Sequence, residues 1–207
     1  MNEEGPTIFI IDDDASVRKS LARLLGSHGL TVETFASAEQ FLGREAYGGN
    51  GCIILDVRMP GLSGIALRDE LMRTDCRMPI IFITGHGDIP MSMDAMKKGA
   101  YDFLAKPFEE AQLMDAVHGA LEKNAQDRAS RVEAETVKNL TDRLTPREKE
   151  VLPYIIAGFL NKQIAFKLSI AEKTVKVHRG HIMEKLGVDS VAELVRFAEK
   201  ANIKPFE

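Results

Sequence analysis

Ile8-Phe9-Ile10-Ile11-Asp12-Asp13 sets the reading of the first half of the chain: a short apolar run, of strand length, ends on two carboxylates. The arrangement returns twice. Cys52-Ile53-Ile54-Leu55 runs into Asp56, and Phe103-Leu104-Ala105 runs into Lys106-Pro107. Strand-length runs at Thr7–Ile11, Thr31–Phe35, Cys52–Leu55, Pro79–Thr84 and Phe103–Ala105 alternate with helical patterns at Ser16–His28, Ala38–Glu45, Gly64–Thr74, Ile89–Lys98 and from Glu109 onward. Ser37 with Gln40 forms a capping box, and Asp88 with Pro90 is a good helix start. Strands alternating with helices imply a parallel sheet covered on both faces, and nearly unbroken apolar strands agree. Ligands of such sheets bind outside the carboxyl ends of the strands. Asp12, Asp13, Asp56, Thr84 and Lys106 all fall there.

Clustered acids with one fixed cation suit Mg²⁺ and an aspartate that takes up a phosphoryl group. Asp13 and Asp56 can each give the metal an oxygen, Asp12 can hold a metal-bound water, and the Arg58 backbone carbonyl is close enough in sequence to be a further ligand. Lys106 would pair with one phosphoryl oxygen and the Thr84 hydroxyl with another. Arg58 and His86 lie two residues past Asp56 and Thr84, at the mouth of this site, where they could set access for hydrolytic water; His86 reads equally well as a simple surface histidine. A cis Lys106-Pro107 peptide is allowed by the sequence. There is no Gly-x-x-x-x-Gly-Lys-Ser/Thr loop, which argues against an ATP-driven machine.

Asp12-Asp13-Asp14, the stretch from Leu55-Asp56 through Met59-Pro60-Gly61 to Gly64, Ile83-Thr84 through Asp88, and Lys106-Pro107-Phe108 resemble the receiver domain of two-component response regulators over about residues 6–122. The resemblance implies that a histidine kinase phosphorylates Asp56. It implies that Asp12 and Asp13 bind Mg²⁺, and that Thr84 and Lys106 are switch residues with Phe103 as the switch aromatic. Phe103 has no hydroxyl, so its two states would differ by packing.

Residues 1–122 hold 11 Lys+Arg against 19 Asp+Glu, whereas residues 123–207 hold 16 against 12. The acidic half suits a metal site and the basic half a polyanion. The 44% apolar and 28% charged content is that of a soluble globular chain. No apolar stretch approaches the roughly 18 residues of a membrane span. The cysteines, Cys52 and Cys76, read as reduced thiols in a cytoplasmic protein.

Residues 123–143 are polar, without Gly or Pro, and Leu121, Ala125, Ala129, Val132, Thr136 and Leu140 recur every three or four residues. This predicts a continuing helix with a thin apolar stripe, able to pair weakly with a partner helix or simply solvated. Thr145-Pro146-Arg147-Glu148 is a strong helix start, with Gly158 as its stop. Helices are then expected at Asn161–Leu168 and Glu172–Leu186, joined by Ser169-Ile170-Ala171. A fourth, capped by Ser190 with Glu193, runs to Lys200. This describes a helix-turn-helix domain. Between residues 162 and 185, six cations face two acids. Lys176 and Val177 are candidates for base edges; Lys173, Thr174 and Arg179 for phosphates. Val175, Ile182 and Leu186 fall on the opposite, core face. His178 and His181 favour packing or phosphate contact over a metal.

Leu144 through Leu152, Asn161 through Ala165 and Lys173 through His178 resemble the LuxR-type output domain of NarL/FixJ regulators, over about residues 143–203, with the Thr84–Met91 stretch closest to the FixJ branch. Gly180 lacks the longer contacting side chain that relatives can carry, and Ala171 is a poor cap for the recognition helix.

The expected architecture is therefore a flavodoxin-like, five-stranded α/β receiver domain (1–122), a helical linker (123–143) and an all-α, four-helix, LuxR-type helix-turn-helix domain (144–207). The expected function is a phosphorylation-switched transcription factor in the cytoplasm. Its partners would be a sensor histidine kinase, promoter DNA, RNA polymerase and a second copy of the chain, with no membrane. Met91, Met93, Met96, Lys97, Tyr101 and Asp102 are candidates for a dimer surface, and Val191, Leu194 and Val195 for a second contact. An aspartyl-phosphate enzyme and a phospho-dependent adaptor whose basic domain binds protein or RNA are the competing classes.

Overall fold

The computed structural model describes residues 5–74, 76–85 and 100–206. The chain divides into two compact units, one extending through Arg128 and the other starting at Ala129. Among the described residues no helix is long and apolar enough to cross a membrane.

The first unit is built on five parallel strands: β1 (Thr7–Ile11), β2 (Thr31–Phe35), β3 (Gly51–Asp56), β4 (Ile80–Thr84) and β5 (Asp102–Ala105), in the order β2-β1-β3-β4-β5. The three central strands are buried throughout, as their unbroken apolar sequences require. On one face, Ile8, Ile10, Ile54, Ile81 and Ile83 pack against α1 (Ala15–Ser27) and α4 (Glu110–Asp142). On the other, Phe9, Ile11, Ile53, Leu55 and Phe82 pack against α2 (Ala38–Leu42) and α3 (Gly64–Leu71). The expected segment Ile89–Lys98 lies outside the described residues.

Local chemistry sets the helix starts. Asp14 accepts the Ser16 N–H to begin α1, Ser37 the Gln40 N–H to begin α2, and Ser63 the Ala66 N–H to begin α3; each such cap is worth about 1 kcal/mol. Three sequence expectations change. α3 ends at Leu71 rather than Thr74, because the Arg73 and Thr74 N–H groups close tighter turns onto the Glu70 and Leu71 carbonyls. α2 ends at Leu42 rather than Glu45, because the chain turns away so that Arg44 can lay its guanidinium over the Phe9 and Phe41 rings. Gln40 reaches back to the Ala36 N–H, one residue before the cap, so the capping box is imperfect. The expected continuation of the last helix is found: α4 is one unbroken helix of 33 residues.

The second unit holds α5 (Pro146–Ile156), α6 (Asn161–Leu168), α7 (Glu172–Leu186) and α8 (Val191–Lys200). Thr145 and Glu148 close a full capping box at α5. Gly158, at φ 82°, follows the end of α5, and Ser169, at φ 52°, makes the left-handed turn between α6 and α7. Val151, Leu152, Ile155, Ile164, Val175, Ile182, Leu186 and Leu194 form its core.

Candidate functional site

Parallel register lines up the strand ends. Ile11 pairs with Leu55, Asp56 with Ile83, and Thr84 with Ala105. Asp12, Asp56, Thr84 and Lys106 therefore emerge side by side on one rim, and β1 and β3 flank the point where the strand order reverses.

Lys106 bridges the two central acids: its ammonium donates to Asp12 Oδ2 and Asp56 Oδ1, each at 2.8 Å. The remaining carboxylate oxygens are also occupied. Asp12 Oδ1 accepts the Asp14 N–H and Asp56 Oδ2 the Arg58 N–H, each at 2.8 Å. Asp12 is 1% exposed and Asp56 7%. Burial pushes the Asp56 carboxyl above its ordinary 3.8, against the pull of Lys106, while the Asp12 charge adds to the rise. Burial disfavours the Lys106 charge, but its hydrogen bonds to Asp12 and Asp56 outweigh this and leave its pKa above the ordinary 10.5.

Of the residues singled out in the sequence, Asp12, Asp56 and Lys106 are brought together. Thr84 is buried alongside and its carbonyl accepts the Lys106 N–H at 2.7 Å. The Lys106-Pro107 peptide is cis. Asp13 is exposed at the rim, and Arg58 is exposed with its backbone on Asp56. Phe103, partly buried, is the register partner of Phe82. Gly64 closes the site from below: a Cβ there would stand 2.1 Å from the Asp56 carbonyl oxygen, so α3 approaches β3 more closely than any side chain permits.

Among the described residues, no three Asp, Glu, His or Cys side chains form a metal-binding group. The donor chemistry nonetheless fits Mg²⁺, which keeps most of its waters and needs only one or two carboxylates. Asp12 and Asp56 already face one point, where the Lys106 ammonium now sits between them.

The candidate dimer residues divide. Met91 and Lys97, with His86, Met93 and Met96, lie outside the described residues. Tyr101 is 36% exposed, with its hydroxyl close over Gly119 of α4, and Asp102 accepts its neighbour's N–H. Val191 is exposed, but Leu194 is a correction: it is 0% exposed in the core of the second unit, because α8 turns its 194/198 stripe inward, and it cannot be a surface contact.

In that unit α7 has two faces. Val175, Ile182 and Leu186 are buried as expected, whereas Lys173, Thr174, Lys176 and Val177 are exposed. Arg179 is half-buried and donates to Asn161 Oδ1 of α6 at 3.0 Å, a tie across the turn that the sequence did not announce. Ala171 gives α7 no side-chain cap, so first-turn N–H groups remain for an outside acceptor. His178 Nδ1 is buried without a partner, and His181 stands 3.7 Å from Glu148. Glu148 is the unexpected residue: 2% exposed, it accepts from Lys185 at 2.6 Å and from the Thr145 N–H at 2.8 Å. Its only signal was the capping pattern, which predicts a solvent-facing glutamate as readily.

Comparison with known proteins follows this division. Residues 8–118 match the response regulator receiver domain, and residues 142–198 match the bacterial regulatory proteins of the luxR family. Nodulation protein W of Bradyrhizobium diazoefficiens is 45% identical over 95% of this chain and 86% of its own length. The transcriptional regulatory protein FixJ of Azorhizobium caulinodans is 43% identical over 98% of this chain and 96% of its own. The solved structure of the response regulator StyR is 51% identical, with a TM-score of 0.89 over 94% of this chain and 98% of that one.

Proposed function

Because this chain belongs to the two-component response regulators with a LuxR-type DNA-binding domain, transcriptional regulators rather than turnover enzymes, we propose that Asp56 is its phosphoacceptor and that phosphorylation controls its binding to promoter DNA. The carrying observation is the Asp12–Lys106–Asp56 bridge at the rim of the sheet, with both carboxylates buried and the lysine half-buried.

An Asp56 oxygen attacks the phosphorus of a phosphohistidine on the kinase, the N–P bond breaks, and the histidine leaves with that electron pair. Mg²⁺, held by Asp12, Asp13, Asp56 and the Arg58 carbonyl, would offset charge on the transferring group. Lys106, tethered to Asp56, is ready to take a phosphoryl oxygen, and Thr84 supplies a hydroxyl beside it. The switch runs through Thr84 and Phe103 to the pairing of two copies, for which Met91, Lys97, Tyr101 and Asp102 are the candidate residues, with Val191 as a second contact. Two output domains then meet half-sites about one helical turn apart. Lys176 and Val177 read base edges; Lys173, Thr174 and Arg179 hold phosphates. The reading puts the protein in the cytoplasm, with RNA polymerase as its downstream partner.

Light scattering on the full chain with Mg²⁺ and beryllofluoride tests this. Wild type should double in mass, and Asp56→Asn should stay monomeric. Doubling of both would reject Asp56 as the switch; doubling of neither would reject dimerisation as the output, in favour of release of a masked DNA-binding domain or an adaptor role.

A further inference from the structure

Along α4 lies a stretch in which no residue is buried among the described residues. Leu121 and Asn124 are buried on the receiver side, and Val137 is buried on the far side. Residues 125–136 are exposed or half-exposed throughout, with Val132 at 65%. Four of them, Ala125, Ala129, Val132 and Thr136, repeat at spacings of four, three and four, the seam spacing of a two-stranded coiled coil. Thr136 fits the seam because its hydroxyl is already satisfied by the Val132 carbonyl at 2.7 Å, which leaves its methyl as the outward group.

With these as the a and d positions, Arg128 falls at g and Glu133 at the e position of the following heptad. That is the pair which meets across two parallel helices, opposite in sign and formed twice by symmetry. We propose that residues 125–136 form a parallel, in-register seam with the same segment of a second copy, closed by reciprocal Arg128–Glu133 pairs. The inference rests on the phosphorylation-dependent dimer above. Parallel pairing also sends both chains toward one DNA duplex from the same end of the seam.

The stretch spans roughly 18 Å, with small residues at three of its four seam positions. Such a seam is too weak to hold two free monomers together, and forms once paired receivers raise the local concentration. Glu133 is meanwhile held at Oε1 by Lys200 of α8, an exposed pair that leaves the second oxygen to accept the arginine.

The test uses the full chain with Mg²⁺ and beryllofluoride, read by analytical ultracentrifugation. Arg128→Glu should weaken the dimer roughly three- to tenfold, the scale of two exposed ion pairs turned repulsive. Adding Glu133→Arg should restore it, and Lys200→Ala should leave it unchanged. Ala125→Cys in a Cys76→Ser background should cross-link under mild oxidation only when beryllofluoride is present. A wild type that dimerises, with Arg128→Glu indistinguishable from it, the double variant no better than the single, or Ala125→Cys failing to cross-link, overturns the seam alone. A wild type that stays monomeric overturns the dimer beneath it as well.

Discussion

Glu148 is an ionised group inside the second unit, and its environment decides how that unit responds to acid. Burial favours the neutral form, but the Lys185 ammonium and the Thr145 N–H outweigh it and hold the carboxyl below its ordinary 4.5. A depressed acid contributes stability above the unfolded value, and that contribution is lost as pH falls through the folded one. The helix-turn-helix unit should therefore lose thermal stability as pH drops below 4.5, measured by calorimetry on the full chain. Glu148→Gln keeps a carbonyl for the Thr145 N–H but leaves Lys185 without its counter-charge. It should cost about 1–3 kcal/mol at pH 7 and flatten that acid dependence. An unchanged acid profile in the variant would remove Glu148 from the explanation. Acids at strand ends were legible because an apolar run stopped on each of them. Glu148 was not legible, since a helix-start glutamate reads alike whether water or a lysine lies beyond it.

At the scale of the element, α7 separates folding from recognition along one helix. Ile182→Ala should cost about 2–5 kcal/mol and take DNA binding down with the fold. Val177→Ala should leave stability within about 0.5 kcal/mol, yet relax preference at a single base pair. Lys173→Ala should weaken binding to all duplexes alike and lower the salt slope by about one. Thermal melts and salt-titrated fluorescence anisotropy check the three together; a Val177 variant that loses stability, or a Lys173 variant with an unchanged slope, would merge the two faces. Strands and helices were legible from periodicity because each buries one face or two. Leu194 was misjudged because Val191, Leu194 and Val195 are all apolar, and only the packing of α8 decides which of them turns inward. The Arg179–Asn161 and Gly51–Asn124 ties join residues 18 and 73 apart, so no local pattern could announce them.

At the scale of the molecule, two units with separate cores share a single helix. The order of the domains and the continuity of the linker followed from composition and from the absence of Gly and Pro. Asn124 could not be foreseen as the last residue tied to the sheet, because its Oδ1 accepts the Gly51 N–H at the far end of β3 from Asp56. Beyond that tie α4 runs unbroken, and an unbroken helix converts length into angle: each added residue turns all that follows by about 100° and advances it about 1.5 Å. An insertion of seven residues within 125–136 returns nearly to phase and should preserve beryllofluoride-stimulated promoter binding. An insertion of two, a turn of about 200°, should abolish it while phosphorylation proceeds; electrophoretic mobility shifts on a two-half-site duplex compare them, and equal binding by both would mean that the linker carries no phase. Lengthening or exchange of this joint in descent would then be tolerated in steps of a heptad, as gear teeth admit only whole numbers.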